Sequence, residues 1–127
     1  MRILLLHSDP EFARAVRGNL EGRGMTLVET SDGVQAIEMA VADPPDLILA
    51  DLELTRLTGL EALRIIRAVK RLASIPAVIL TDRADPEEIR EAVELDAADY
   101  VLKSAFLRGD GAERLLKAAR RPSPSRP

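Results

Sequence analysis

The sequence has 127 residues, 46% hydrophobic and 31% charged, which suits one domain with a single core and is too little for two. Phe12, Tyr100 and Phe106 are its only aromatic residues and its net charge is −3, which excludes a base-stacking platform and a basic field for nucleic acid or anionic lipid. The absence of cysteine excludes disulfides, CxxC redox chemistry and thiolate metal sites, and the short N-terminal apolar run fits neither a signal peptide nor a membrane span, so a cytoplasmic location is expected.

The first element is the aliphatic run ILLL at 3–6, broken abruptly by His7, Ser8 and Asp9. Asp9 before Pro10 places a capping acceptor ahead of a proline at the first helical position. Phe12, Val16 and Leu20 then share one helical face, and Gly22 and Gly24 stand where that helix must end. TLVE at 26–29 alternates and reads as an edge strand. Val34, Ile37 and Val41 make a second helical stripe, followed by the buried-strand run LILA at 47–50.

Thr58 with Glu61 has capping-box spacing ahead of a third stripe, Leu60, Leu63 and Ile66. AVIL at 77–80 is the fourth strand, and Asp85–Pro86, with Glu88 at box spacing, opens a helix faced by Ile89 and Val93. YVL at 100–102 is read as a fifth strand buried on both faces. Asp110 with Glu113 then caps a helix carrying Ala112, Leu115, Leu116 and Ala119. Five strands alternating with five helices fold, through right-handed crossovers, into a doubly wound parallel sheet. "GRG" at 22–24 follows a helix, so it is no dinucleotide fingerprint, and neither a P-loop nor a repeat is present. Residues 1–121 form the expected domain, and 122–127 read as a disordered tail or the start of a linker.

In open α/β sheets function gathers beyond the carboxyl ends of the strands. Those ends carry His7, Ser8 and Asp9, then Asp51, then Thr81 and Asp82, then Lys103. An acid, a hydroxyl and an amine thereby converge from three strands.

The stretches "PDLILADLELTRLTGLEALRIIR", "IPAVILTDRAD" and "ADYVLKSAF" resemble the receiver domain of two-component response regulators, over about residues 2–120. The resemblance implies a flavodoxin-like sheet of order 2-1-3-4-5. It also implies that Asp51 stands at the phosphoacceptor, Thr81 at the switch hydroxyl, Lys103 at the phosphate-binding lysine and Tyr100 at the switch aromatic. In that family a carboxylate attacks a partner's phosphohistidine to give an acyl phosphate. Positioning and charge neutralisation by Mg2+, lysine and hydroxyl do most of the catalysis.

The family holds Mg2+ with two adjacent acids after the first strand, and here those positions are His7 and Ser8. Asp9 is read first as a helix cap and second as a lone metal ligand beside Asp51, a site expected to stay unfilled. Asp82 replaces a small residue, Ser104 replaces a proline whose loss should loosen the loop that aims Lys103, and Thr55 and Thr58 replace a proline and an aspartate. Two like charges ~4 Å apart repel by roughly 4 kcal/mol at an effective dielectric of about 20, so a phosphoryl group beside Asp9 and Asp82 needs a cation. His7 and Lys103 are expected to flank Asp51 and supply that charge. Glu53 and Arg83 are expected to form a salt bridge across the mouth.

The reading is therefore an atypical receiver, a protein-interaction module with impaired Mg2+-dependent phosphorylation and no enzymatic turnover. The alternative is a conventional receiver phosphorylated on Asp51 with Mg2+ as cofactor. A small phosphatase is disfavoured, because Asp51 begins no DxD pair and no general acid is evident. Expected partners are a histidine kinase or a downstream effector, with neither nucleic acid nor membrane. A homodimer through helix four, strand five and helix five would set Glu87, Glu88, Glu91 and Glu94 against Arg114, Lys117, Arg120 and Arg121.

Overall fold

The computed structural model describes residues 1–20 and 22–120. Its chain order is β1 (Arg2–Leu6), α1 (Pro10–Leu20), β2 (Thr26–Thr30), α2 (Gly33–Ala42), β3 (Leu47–Asp51) and α3 (Gly59–Ala68). A 3-10 turn (Lys70–Leu72), β4 (Ala77–Thr81), α4 (Pro86–Glu94), β5 (Asp99–Leu102) and α5 (Lys103–Ala105) follow. A π-helical stretch (Phe106–Asp110) then leads into α6 (Gly111–Arg120). The strands form one parallel sheet, as the alternation of strands and helices predicts, in the order β2-β1-β3-β4-β5 that the resemblance implies. The expected tail from 122 lies outside the described residues.

Side-chain alternation along the strands feeds two cores. Leu4, Leu6, Ile48, Ala50, Ala77 and Ile79 face α2, α3 and α4. Ile3, Leu5, Leu47, Leu49, Val78 and Leu80 face α1 and α6. β3 and β4 are buried along their whole length, and each Leu, Ile or Val sequestered this way contributes about 1.5–3 kcal/mol.

Three expectations are corrected here. α2 buries Gly33, Ala36 and Ala40, while Val41 of the expected stripe is exposed, because small residues let this helix approach the sheet closely. α4 buries Ala92, and Val93 is 70% exposed, so the Ile89–Val93 face is not its core face. β5 is an edge strand whose only buried residue is Val101, since no further strand covers it.

The last helix also departs from its expected start. The chain is helical from Lys103 to Arg120, so Asp110 does not open a helix, and the α-helices among the described residues number six instead of five. Ala112 and Leu115 of the expected stripe are buried, together with Ala118. The other caps behave as their chemistry dictates. Thr58 and Glu61 close a complete capping box, and Asp85 accepts from the amides of Glu87 and Glu88. α3 holds α4 through two arginines: Arg67 donates to the carbonyl of Leu95, the C-cap of α4, at 2.9 Å and to that of Ile75 ahead of β4 at 2.7 Å, and Arg64 Nη2 pairs with Glu91 Oε2 at 2.6 Å.

Gly59 seats the N-terminus of α3 against the end of β3. Its N–H donates to the Leu52 carbonyl at 2.9 Å, and a Cβ at this position would stand 2.1 Å from the Asp51 carbonyl oxygen. Replacing Gly59 with Ala is expected to destabilise the fold by about 3 kcal/mol through backbone displacement. Gly18 lies in α1 with open space around it, and Gly18→Ala is expected to stabilise by about 0.5–1 kcal/mol. Urea unfolding of both variants measures the contrast, and equal midpoints would refute it.

Candidate functional site

β3 delivers Asp51 to the rim of the sheet, where it is 3% exposed. Its Oδ1 accepts the Glu53 N–H at 3.2 Å, and its Oδ2 lies 2.5 Å from Nζ of Lys103. The parallel register explains the meeting. Asp51 pairs with Leu80 across β3 and β4, Thr81 pairs with Leu102 across β4 and β5, and the next residue is Lys103.

Lys103 Nζ also stands 5.1 Å from the centroid of the Phe12 ring on α1 and 3.9 Å from Asp82 Oδ1. A carboxylate, an aromatic face and a second carboxylate thus hold one ammonium whose side chain is 12% exposed. Ser104 lies in a short helix and not in a loop, because α5 begins at Lys103 with no intervening residue after β5. The helix backbone itself aims the lysine.

Thr81 is buried, and its Oγ1 donates to the Arg83 carbonyl at 2.9 Å while accepting the Arg83 N–H at 3.3 Å. The Tyr100 hydroxyl, half-buried on β5, donates to the same Arg83 carbonyl at 3.4 Å. The two hydroxyls therefore meet on one backbone oxygen. Glu53 and Arg83 line a cavity of about 510 Å3 beside Asp51, together with Thr81 and Asp82. The expected Glu53–Arg83 salt bridge is not among the ion pairs of the described residues, in keeping with the small gain such exposed pairs offer.

The residues after β1 point elsewhere. His7 Nε2 lies 3.1 Å from Glu29 Oε1 on β2, and Arg17 of α1 clamps the same carboxylate at 2.5 Å. A carboxylate only accepts, so Nε2 carries the proton; Nδ1 is buried with no protein partner. His7 does not pair with Asp51 as expected, because Glu29 on the adjoining edge strand offers a carboxylate while Lys103 already meets Asp51. Ser8 is exposed. Asp9 is exposed too, and its Oδ1 accepts the amides of Glu11 (3.0 Å) and Phe12 (3.3 Å), the geometry of a helix cap. Among the described residues no group of three His, Cys, Asp or Glu side chains stands together as a metal-ligand cluster.

Two features escape a reading of the sequence alone. Phe12 reads as core, and its place beneath Lys103 depends on how α1 packs on α5. The loop after β3 is also joined to the loop before α2: Arg56 Nε donates to Asp32 Oδ2 at 2.8 Å, and this guanidinium holds the Asp32 carboxyl below the usual carboxylate range.

Comparison with known proteins decides the family. The model of the response regulator receiver domain matches residues 3–115. The chain belongs to the response regulator receiver family. Transcriptional regulatory protein KdpE of Mycobacterium tuberculosis (strain ATCC 25618 / H37Rv) is 32% identical over 94% of this receiver chain and 51% of its own length. DNA-binding response regulator MtrA of Mycolicibacterium smegmatis is 34% identical over 80% of this chain and 43% of its own. The chain thus spans about half the length of these curated relatives.

Among solved structures, the Mn2+-bound form of response regulator Rcp1 superposes with a TM-score of 0.82 at 25% identity, over 98% of this chain and 99% of that one. The BeF3-activated N-terminal receiver domain of Klebsiella pneumoniae RstA gives 0.80 at 26% identity, over 95% and 100%. Receiver domains are generally signalling modules that work with histidine kinases and effectors. No helix among the described residues is long and apolar enough to cross a membrane.

The buried pair makes a stability prediction. Lys103→Ala strands the Asp51 carboxylate and is expected to cost about 3–5 kcal/mol. Adding Asp51→Asn to Lys103→Ala is expected to recover at least half of that loss, because the stranded charge goes with it. Chemical denaturation of the two variants tests this; a double variant no more stable than the single would contradict it.

Proposed function

We propose that this chain is an atypical receiver in two-component signalling, working mainly as a protein-interaction module with impaired Mg2+-dependent phosphorylation of Asp51. One observation carries the reading: where the family sets its two metal-holding acids after the first strand stand His7, whose Nε2 faces Glu29 Oε1 at 3.1 Å, and Ser8, which is exposed. The surrounding donors support it. Asp9 Oδ1 caps α1, His7 faces Glu29, and Ser8 brings no charge. In this reading an octahedral dication, which usually takes one or two carboxylates besides water, would have to compete with Lys103 for the Asp51 carboxylate without the adjacent acid pair.

Asp51, Thr81, Lys103 and Tyr100 keep the scaffold of the switch in this reading. The output surface is the α4, β5 and α6 face. Val93 stands 70% exposed there between the acidic residues of α4, and Lys117 and Arg120 mark α6. The partners are a cytoplasmic histidine kinase or effector, or a second copy of the chain through that face.

Incubation with acetyl phosphate and Mg2+, followed by intact mass spectrometry, tests the proposal. The expected result is no stoichiometric gain of a phosphoryl group. A saturating gain that disappears in Asp51→Asn would establish the conventional phosphoacceptor instead. Turnover of a phosphoester would establish an enzyme.

A further inference from the structure

The β3–α3 loop is fastened to the N-terminus of α2 by contacts that no feature of the acceptor site requires. The Thr55 N–H and Oγ1 both donate to the Ser31 carbonyl at 2.9 Å, and the Thr55 carbonyl accepts the Gly33 N–H at 3.0 Å. A proline at 55 would have no N–H to give. Leu57 presses on Gly33 so closely that a Cβ there would meet the Leu57 Cβ at 2.6 Å. Between them stands Arg56 with φ of 67°, a left-handed conformation that non-glycine residues hold only when their surroundings enforce it.

The Arg56 side chain is paired with Asp32. Arg56 Nε and Nη2 both reach Asp32 Oδ2, at 2.8 and 2.5 Å. The other oxygen, Oδ1, caps α2 by accepting from Val34 N (2.8 Å) and Gln35 N (3.2 Å). One carboxylate thus divides its two oxygens between a helix cap and a loop clamp. The same loop begins at Asp51, and its Glu53 N–H is the donor to Asp51 Oδ1.

We propose that Asp32 and Arg56 are a positioning pair for the acceptor: by clamping the β3–α3 loop they fix the Glu53 N–H and, through it, the orientation of the Asp51 carboxylate. The inference rests on Asp51 as the functional centre, and on nothing about whether it is phosphorylated. Lys103 holds Oδ2 from α5 and the clamped loop holds Oδ1, so the carboxylate is located from both sides of the sheet rim.

Asp32→Asn separates the two duties, because asparagine caps a helix as well as aspartate but carries no charge for Arg56. Arg56→Gly removes the guanidinium and relaxes the backbone, since glycine adopts positive φ freely. Amide hydrogen exchange is expected to quicken about tenfold at Glu53 and Thr55 in each variant, with Val34 and Gln35 unchanged in Asp32→Asn. The double variant is expected to exchange no faster than either single one, and the Asp51 carboxyl carbon resonance to move in all three. Wild-type exchange at Glu53 with an unmoved Asp51 resonance would overturn the proposal. So would faster exchange confined to Thr55, which would make the clamp a loop fastener with no hold on the acceptor. Phosphoryl gain in the acetyl phosphate experiment would overturn the atypical reading and leave these rates as expected.

Discussion

Two opposite charges lie at the carboxyl edge of the sheet, largely removed from water, and the rest of the site is arranged around their contact. Asp51 alone at 3% exposure would be an expensive anion, and Lys103 alone beneath a helix an expensive cation. Together at 2.5 Å, with a Glu53 amide on one side and the Phe12 ring on the other, each compensates for the other's lost hydration. The pair therefore couples β3, α1 and α5, three segments far apart in sequence. It also sets the chemistry of the rim, because any anion added at Asp51 has to share the one ammonium with the carboxylate already bound to it.

The scaffold supports that contact from below and leaves one side of the molecule lightly held. β3 and β4 are buried throughout, and Gly59 brings α3 against the Asp51 carbonyl, so the acceptor's backbone has little freedom. α4 is different: it buries Ala92, exposes Val93 and is tied at its end by Arg67. Thr81 and Tyr100 share the Arg83 carbonyl at the entry to this region.

How much of this could be read from the sequence follows from which forces are local. The buried runs of β3 and β4, the Thr58–Glu61 box and the Asp9–Pro10 start depend on neighbours within a few residues, and all stand where the pattern places them. The convergence of Asp51, Thr81 and Lys103 was legible as well, because parallel strands of known order fix which ends share a rim. The helix faces were less so. In α2 the choice between Val41 and Ala40 is made by how closely the helix approaches the sheet, a tertiary quantity that periodicity does not carry. The partner of His7 was missed for a similar reason: β1 has a neighbour on each side, and only the placement of Glu29 and Arg17 decides between them. The Asp32–Arg56 clamp joins two loops and leaves no trace in spacing at all.

The central claim is that the cation serving Asp51 is built into the chain. Titration with Mn2+, followed by paramagnetic broadening in the amide NMR spectrum, tests it most directly. The account predicts that the resonances of Asp51, Leu52, Glu53 and Lys103 keep their intensity while exposed acidic positions lose theirs weakly and without saturation. Selective, saturable loss at those four residues would show a divalent ion seated at the acceptor, and would contradict it.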